Sequence, residues 1–299
     1  MIDIHSHVLP GFDDGLKSLE EAVRLSQLMT SGGVTTLFVT PHITGAPDLE
    51  NSRRIESSMA SLQAALDERG APLRFLPGAE VAPTMDLLDW LDRGFPILLG
   101  TSGRYLLLDC PPNAIPPGLG RLVFALQTRR VTPILAHPER GLSVQQKPDS
   151  IEALVENGLL TQISARSILG RHGKAAKDTA RVLLRHHWVH FVASDSHSIS
   201  SHEPLLPLAA QALIELIGRD EVLELTQRNG ARVAAGEEVP TNPLPYKAGA
   251  GTSWLRRVGL AIQPALGWRE SSLDYSSHSP SSDIRSTSLR MLPKRSARK

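Results

Sequence analysis

The chain of 299 residues has one cysteine, Cys110. A lone thiol excludes an intrachain disulfide framework and predicts a reducing compartment. No apolar run approaches the roughly 20 residues that a membrane helix needs. No basic segment followed by a short apolar stretch opens the chain, so no secretory signal is expected and a cytoplasmic location is predicted. Net charge is nearly absent at +1, but the balance is uneven along the chain. Residues 241–299 carry 10 Lys/Arg against 3 Asp/Glu, while residues 1–240 carry 22 against 28. An acidic body offers no basic stripe for a nucleic-acid backbone. A GxxxxGK[ST] phosphate loop is absent too. So is Cys-x5-Arg: the sixth residue past Cys110 is Pro116, and CPPNAIP has too few backbone N–H groups to cradle a phosphate around a thiolate.

What is present is a regular alternation. Hydrophobic residues make up 41% and charged residues 21%, the balance of an ordinary globular domain. Seven short apolar runs recur: IDI (2–4), TTLFVT (35–40), LRFL (73–76), YLLL (105–108), VTPILA (131–136), LLTQIS (159–164) and VHFVA (189–193). Helical patterns separate them. In SLEEAVRLSQLMTSGG, Ser18 and Glu21 make a capping box, apolar residues recur at helical spacing, and Gly32-Gly33 stops the helix. Strands alternating with helices predict parallel βα units, and seven of them suggest a barrel-like sheet, with an open doubly wound sheet as the alternative. Two more helical stretches, EPLLPLAAQALIELIG and RDEVLELTQRNGARVAAG, close the body. A domain over 1–238 is therefore expected, followed by a basic Pro/Ser/Arg-rich tail over 239–299 whose composition predicts disorder. Within the tail, WLRRVGLAIQPALGW could dock on a partner or on anionic lipid, but Pro264 breaks it and it is read as more of the same.

Six of the seven runs deliver a His, Asp or Glu at their C-terminal end. His5 and His7 follow the first run, with Asp13 and Asp14 close behind. His42, Glu80, Asp109 and His137 follow the next four, and Asp195 and His197 follow the last. In parallel βα architectures these ends share one face, where active sites are built. Any one of them alone reads as a helix cap or loop hydrogen-bonder. Together they make a cluster of mutually repelling carboxylates that divalent cations would relieve. A His/Asp/Glu set without thiolates disfavours a structural zinc site and suits Mn²⁺, Fe²⁺ or Zn²⁺, in two or three ions rather than one.

His5-Ser6-His7, Asp14, Pro41-His42, Gly78-Ala79-Glu80, His137-Pro138-Glu139-Arg140 and Ser194-Asp195-Ser196-His197 resemble the PHP (polymerase and histidinol phosphatase) superfamily. Within it, MIDIHSHVLPGFDDG, FVTPH, LPGAE, LAHPER and VASDSH are similar to the bacterial protein-tyrosine phosphatases of capsule and exopolysaccharide operons, the CpsB/YwqE type. The match runs in order from residue 1 to about 235. The resemblance implies an α/β fold, a distorted (β/α)7 barrel, and a trinuclear site with manganese as the first expectation. His5, His7, Glu80 and Asp195 would hold one metal. Glu80 would bridge to a second held with Asp109 and His137, and Asp14, His42 and His197 would hold a third. Arg140 would bind phosphate, its plainer role being a salt bridge to Glu139, and Asp13 would support the site from a turn. The implied partner is the phosphotyrosine tail of a tyrosine autokinase; oligomeric state is left open.

Two positions depart from the family pattern. The family usually has Glu at Asp109, and it tends to have a second arginine where this chain has His202. Losing that guanidinium removes a bidentate phosphate contact. His202 can donate when protonated, act as acid for the leaving group, or be a solvated loop histidine. In the expected chemistry, a water between two divalent ions is acidified enough to attack phosphorus in line. Rival readings are a phosphatase of a small ester such as histidinol phosphate, a nuclease, a metal amidohydrolase, and a weakly active regulatory phosphoprotein binder. The amidohydrolase would require a lysine ligand that no strand end offers. In LGRHGK, His172 is read as part of a turn in preference to a substrate contact, and His186, His187 and His190 as non-catalytic residues at a helix end and strand start.

Overall fold

A computed structural model describes residues 1–199 and 204–241. His202 and the tail from 242 onward lie outside the described residues. The elements, in chain order, are β1 (Ile2–Asp3), α1 (Leu19–Ser31), β2 (Thr36–Val39), β3 (His42–Ile43), α2 (Leu49–Asp67), β4 (Arg74–Pro77), β5 (Glu80–Val81), α3 (Asp86–Asp92), β6 (Tyr105–Leu108), α4 (Leu119–Thr128) and β7 (Thr132–Ala136). Then follow α5 (Leu142–Gln146), α6 (Glu152–Glu156), β8 (Leu160–Ser164), α7 (Ala165–Ile168), α8 (Gly173–Arg185), β9 (Phe191–Ala193), α9 (Leu205–Ile217), α10 (Arg219–Leu223) and α11 (Asn229–Ala235). A single π-helical turn, Glu224–Arg228, joins the last two.

Every named strand pairing is parallel, in the orders β1-β2-β4 and β3-β5-β6-β7-β8-β9. Two of the seven predicted runs are each followed by a second short strand. After β2, Pro41 has no N–H for the ladder, and pairing resumes at His42. After β4, a Cβ on Gly78 would sit 2.6 Å from Leu99 Cδ2, so a larger residue there would have to displace that side chain. Both interruptions fall beside site residues, so His42 and Glu80 open new strands instead of lying in loops. One parallel bridge, Ser6–Ser196, links the chain just past β1 to the chain just past β9. Beside it, His7 N–H donates to Ser196 O at 3.0 Å and Asp195 N–H to His5 O at 3.1 Å.

Strand side chains alternate between two buried faces, as expected of parallel sheet covered on both sides. Ile4, Phe38, Leu76, Leu107, Ile134, Leu160 and Phe191 meet in one inner cluster, one residue from each of the seven runs. Their neighbours point the other way and pack under helices: Leu37 and Val39 with Leu62 and Leu66 of α2, and Leu106 and Leu108 with Leu87, Trp90 and Leu122. The predicted capping box is present on α1, with Glu21 N–H donating to Ser18 Oγ at 3.2 Å and Ser18 N–H donating to Glu21 Oε2 at 3.3 Å. The body extends slightly past the expected boundary at 238. Val239 is buried, its N–H donates to Tyr105 Oη, and Thr241 O accepts from His190 Nε2 at 3.1 Å. His190, at the start of the last run, is therefore a buried anchor on the approach to β9. Among the described residues, no helix is long and apolar enough to cross a membrane.

Candidate metal centre

All nine side chains singled out at strand ends come together on one face. Glu80 is at their centre, almost fully buried. Its Oε2 lies 3.1 Å from His5 Nε2, 3.2 Å from His7 Nε2 and 3.2 Å from His42 Nδ1, and its Oε1 lies 3.0 Å from His137 Nε2. Asp195 Oδ1 stands 3.5 Å from both His5 Nε2 and His197 Nδ1. Asp109 Oδ1 lies 3.7 Å from His137 Nε2. On the solvent side, Asp14 Oδ1 lies 3.4 Å from His197 Nε2 and 3.9 Å from His42 Nε2. Four groups have donor atoms close enough to share an ion: His7-Asp14-His42-His197, His5-His7-Glu80, His5-His137-Asp195 and His42-Glu80-Asp109.

The outer contacts decide what faces inward. Gln162 Oε1 can only accept, so at 2.8 Å it fixes the proton of His5 on Nδ1. Asp13 Oδ2 does the same for His7 Nδ1 at 2.7 Å. With both rings neutral, the Nε2 lone pairs point at each other across 3.0 Å, with Glu80 Oε2 beside them. Three acceptors in van der Waals contact repel unless a cation lies between them. The donor set thus fits divalent metal, and a carboxylate or amide behind each histidine is the usual arrangement around one.

Without an ion, protons take the cation's place: burial works against a charged His5, yet Glu80 and Asp195 outweigh it and push its pKa up to about 10, so a bound metal would displace the Nε2 proton. Burial likewise opposes ionised Glu80, but the surrounding histidines, His5 first, hold it well below the usual carboxylate range. Asp13 is held at about 2, its burial outweighed by His7 and two backbone N–H donors. Asp109 moves the other way, raised by burial and by the nearby Glu80. Two site residues also adopt left-handed backbone, His137 at φ 35° and Asp195 at φ 51°. Such conformations cost about 1–3 kcal/mol each and persist where surrounding structure imposes them.

Arg140 reaches into the site instead of pairing with its neighbour. Its Nη1 donates to Asp195 Oδ2 at 2.7 Å. Glu139 is fully buried and accepts from Ser164 N–H at 3.0 Å. Asp13 supports His7, Gly15 N–H and His42 N–H from its turn. His172 sits in the expected turn with its Nδ1 3.0 Å from Ser167 Oγ, and burial and then Arg140 push its pKa down to about 4. Cys110 is buried, with its thiol pushed up to about 12 by burial and then Glu139, so it is no nucleophile. Sequence reasoning missed Gln162. The sixth run was set aside because no ionisable residue follows it, yet a lone amide in a buried apolar strand is itself the signal.

A family model described as "Capsular polysaccharide synthesis, CpsB/CapC" matches residues 1–235. CapC of Staphylococcus aureus is 31% identical over 254 residues, covering 83% of this chain and 98% of that protein. The tyrosine-protein phosphatase YwqE of Bacillus subtilis is 29% identical, covering 67% and 79%. The tyrosine-protein phosphatase CpsB of Streptococcus pneumoniae is 28% identical, covering 78% and 98%. A crystal structure from the pair YwqE and CpsB, described as metal-dependent tyrosine phosphatases, superposes with a TM-score of 0.74 at 27% identity, over 80% of this chain and 96% of that one. The chain belongs to the CpsB/CapC family of capsular polysaccharide synthesis.

Proposed function

We propose that this protein is a cytoplasmic, metal-dependent protein-tyrosine phosphatase acting on the phosphotyrosine tail of a bacterial tyrosine autokinase that controls polysaccharide synthesis or export. The observation that carries the reading is the inward-facing set of acceptors, His5 Nε2, His7 Nε2 and Glu80 Oε2, backed by Gln162 and Asp13. The relatives named as tyrosine phosphatases supply the substrate class. His5, His7, Glu80 and Asp195 would hold one ion, Glu80 with Asp109 and His137 a second, and Asp14, His42 and His197 a third; Mn²⁺ is the proposed occupant. When bound, such ions acidify water and neutralise charge on a phosphoryl group.

The chain's own residues do the rest. Asp195 holds one nitrogen of Arg140 and leaves the remaining guanidinium donors for the phosphoryl oxygens. Buried Glu80 keeps four imidazoles oriented around one carboxylate. The tyrosine leaves as a phenolate of pKa about 10, so no strong general acid is demanded. The parallel strands are read as a distorted seven-unit barrel, supported by the Ser6–Ser196 bridge and the shared inner cluster.

Turnover of phosphotyrosine peptide with added Mn²⁺, lost in the His5→Ala/His7→Ala variant, is the expected result. Binding of the peptide without turnover would support a regulatory binder instead. Turnover of histidinol phosphate with phosphotyrosine untouched would overturn the substrate class.

A further inference from the structure

One cavity opens directly off the candidate metal centre, and most of its lining has no part in holding metal. It encloses about 640 Å³ between β3, β5 and α3, and Glu80, Asp109 and His42 form its inner end. Trp90, Ile43 and Ala82 supply apolar lining. This size lies within the roughly 300–1,000 Å³ usual for small-molecule sites. Trp90 is held by the core around Leu87, Leu106 and Leu122, which makes it a rigid wall. Arg140, which is not part of this lining, pairs with Asp195, and His172 lies close enough to feel both. A second, smaller cavity of about 170 Å³ touches the centre only at His42, and its Phe12 ring already carries the Arg54 guanidinium at 5.2 Å.

We infer that the β3–β5–α3 cavity is the aryl subsite: with the phosphoryl group at the metal centre, the phenol ring lies against Trp90, and this wall selects aryl over alkyl phosphoesters. The inference rests on the phosphatase reading and adds what decides substrate class within it. An aromatic ring gains from burial and from stacking on the indole, whereas an alkyl chain gains less. Arg140 and the centre bind the phosphoryl group of any phosphomonoester alike, so discrimination in binding has to come from the leaving-group side. Thr84 and the Asp89–Arg93 ion pair line the same cavity and are exposed, so the peptide flanking the tyrosine would pass over them.

The test uses the Mn²⁺-loaded full chain and three inhibitors of phosphotyrosine-peptide turnover: phenylphosphonate, methylphosphonate and inorganic phosphate. Phenylphosphonate is expected to bind about tenfold more tightly than methylphosphonate and, unlike it, to quench tryptophan fluorescence. In Trp90→Leu the quench is lost, and in both Trp90→Leu and Ala82→Phe the phenyl preference falls to within about twofold while phosphate inhibition is unchanged. Ala82 is exposed, so Ala82→Phe decides the matter if the Trp90 variant does not fold. A phenyl preference that survives in Ala82→Phe overturns the assignment. Turnover of phosphotyrosine peptide by wild type without any phenyl preference refutes the cavity alone; absence of turnover refutes the phosphatase reading and the subsite with it.

Discussion

Replacing Gln162 by methionine isolates the contact that aims His5. Gln162 is fully buried on β8, and its Oε1 accepts from His5 Nδ1 at 2.8 Å, while its Nε2 has no partner. Gln162→Met keeps the volume but strands the Nδ1–H of His5, an orphaned buried donor costing about 1–3 kcal/mol. The same change removes the unpartnered Nε2, which returns a comparable amount. Stability of the metal-free protein should therefore shift by no more than about 1 kcal/mol. Metal binding should suffer far more. Freed from Gln162, His5 can move its proton to Nε2 and present a donor where an acceptor is needed. Loss of such an outer partner typically lowers metal affinity about 10–100-fold, or about 1.4–2.7 kcal/mol. Calorimetric titration with Mn²⁺ reads the affinity, and denaturant unfolding in chelator reads the stability. Gln162→Glu keeps an acceptor in place and should hold affinity within a few-fold. Unchanged affinity in Gln162→Met, or an equal loss in Gln162→Glu, would refute the tautomer argument.

Arg140→Lys keeps a charge but loses the planar fork, and Arg140→Ala loses both. The first should retain under about a tenth of kcat/KM on phosphotyrosine peptide and the second under about a hundredth. Mn²⁺ affinity should hold in both, since Asp195 keeps its oxygens; a parallel fall in metal affinity would make Arg140 structural. His190 carries a pH signature. Its Nδ1 accepts from Thr161 N–H and its Nε2 donates to Thr241 O, so only the neutral ring fits, and burial pushes its pKa down to about 4. An unfolded histidine titrates near 6.5, so the unfolded state takes up the proton first as pH falls. Stability is full above pH 6.5 and drains away as pH drops toward 4, by about 2–3 kcal/mol at pH 4.5. His190→Gln, compared with wild type in chelator, should lack that component; identical slopes in both proteins would sink the assignment.

The fold was readable because its signals are local. Seven apolar runs and the α1 capping box sit where the chain pattern puts them. The breaks after β2 and β4 were written in Pro41 and Gly78, but runs this short cannot say that pairing resumes at His42 and Glu80. Arg140 could be placed beside the site by its strand, but its choice of Asp195 over adjacent Glu139 depends on Glu139 turning inward to Ser164. Gln162 was invisible for a related reason. An amide earns notice only when something across the sheet needs its oxygen.

By itself, the sequence determined which donor types end which strands, and hence that carboxylates and imidazoles crowd one face without thiolates. That follows from strand-end chemistry and needs no coordinates. Tertiary structure alone decided the rest: that Glu80 joins four histidines, that Gln162 and Asp13 turn the Nε2 atoms of two of them inward, and that a cavity with Trp90 in its lining opens beside Asp109. Those are distances between strands far apart in the chain. Parallel pairing and the packing of α3 set them, and no spacing along a single segment encodes them.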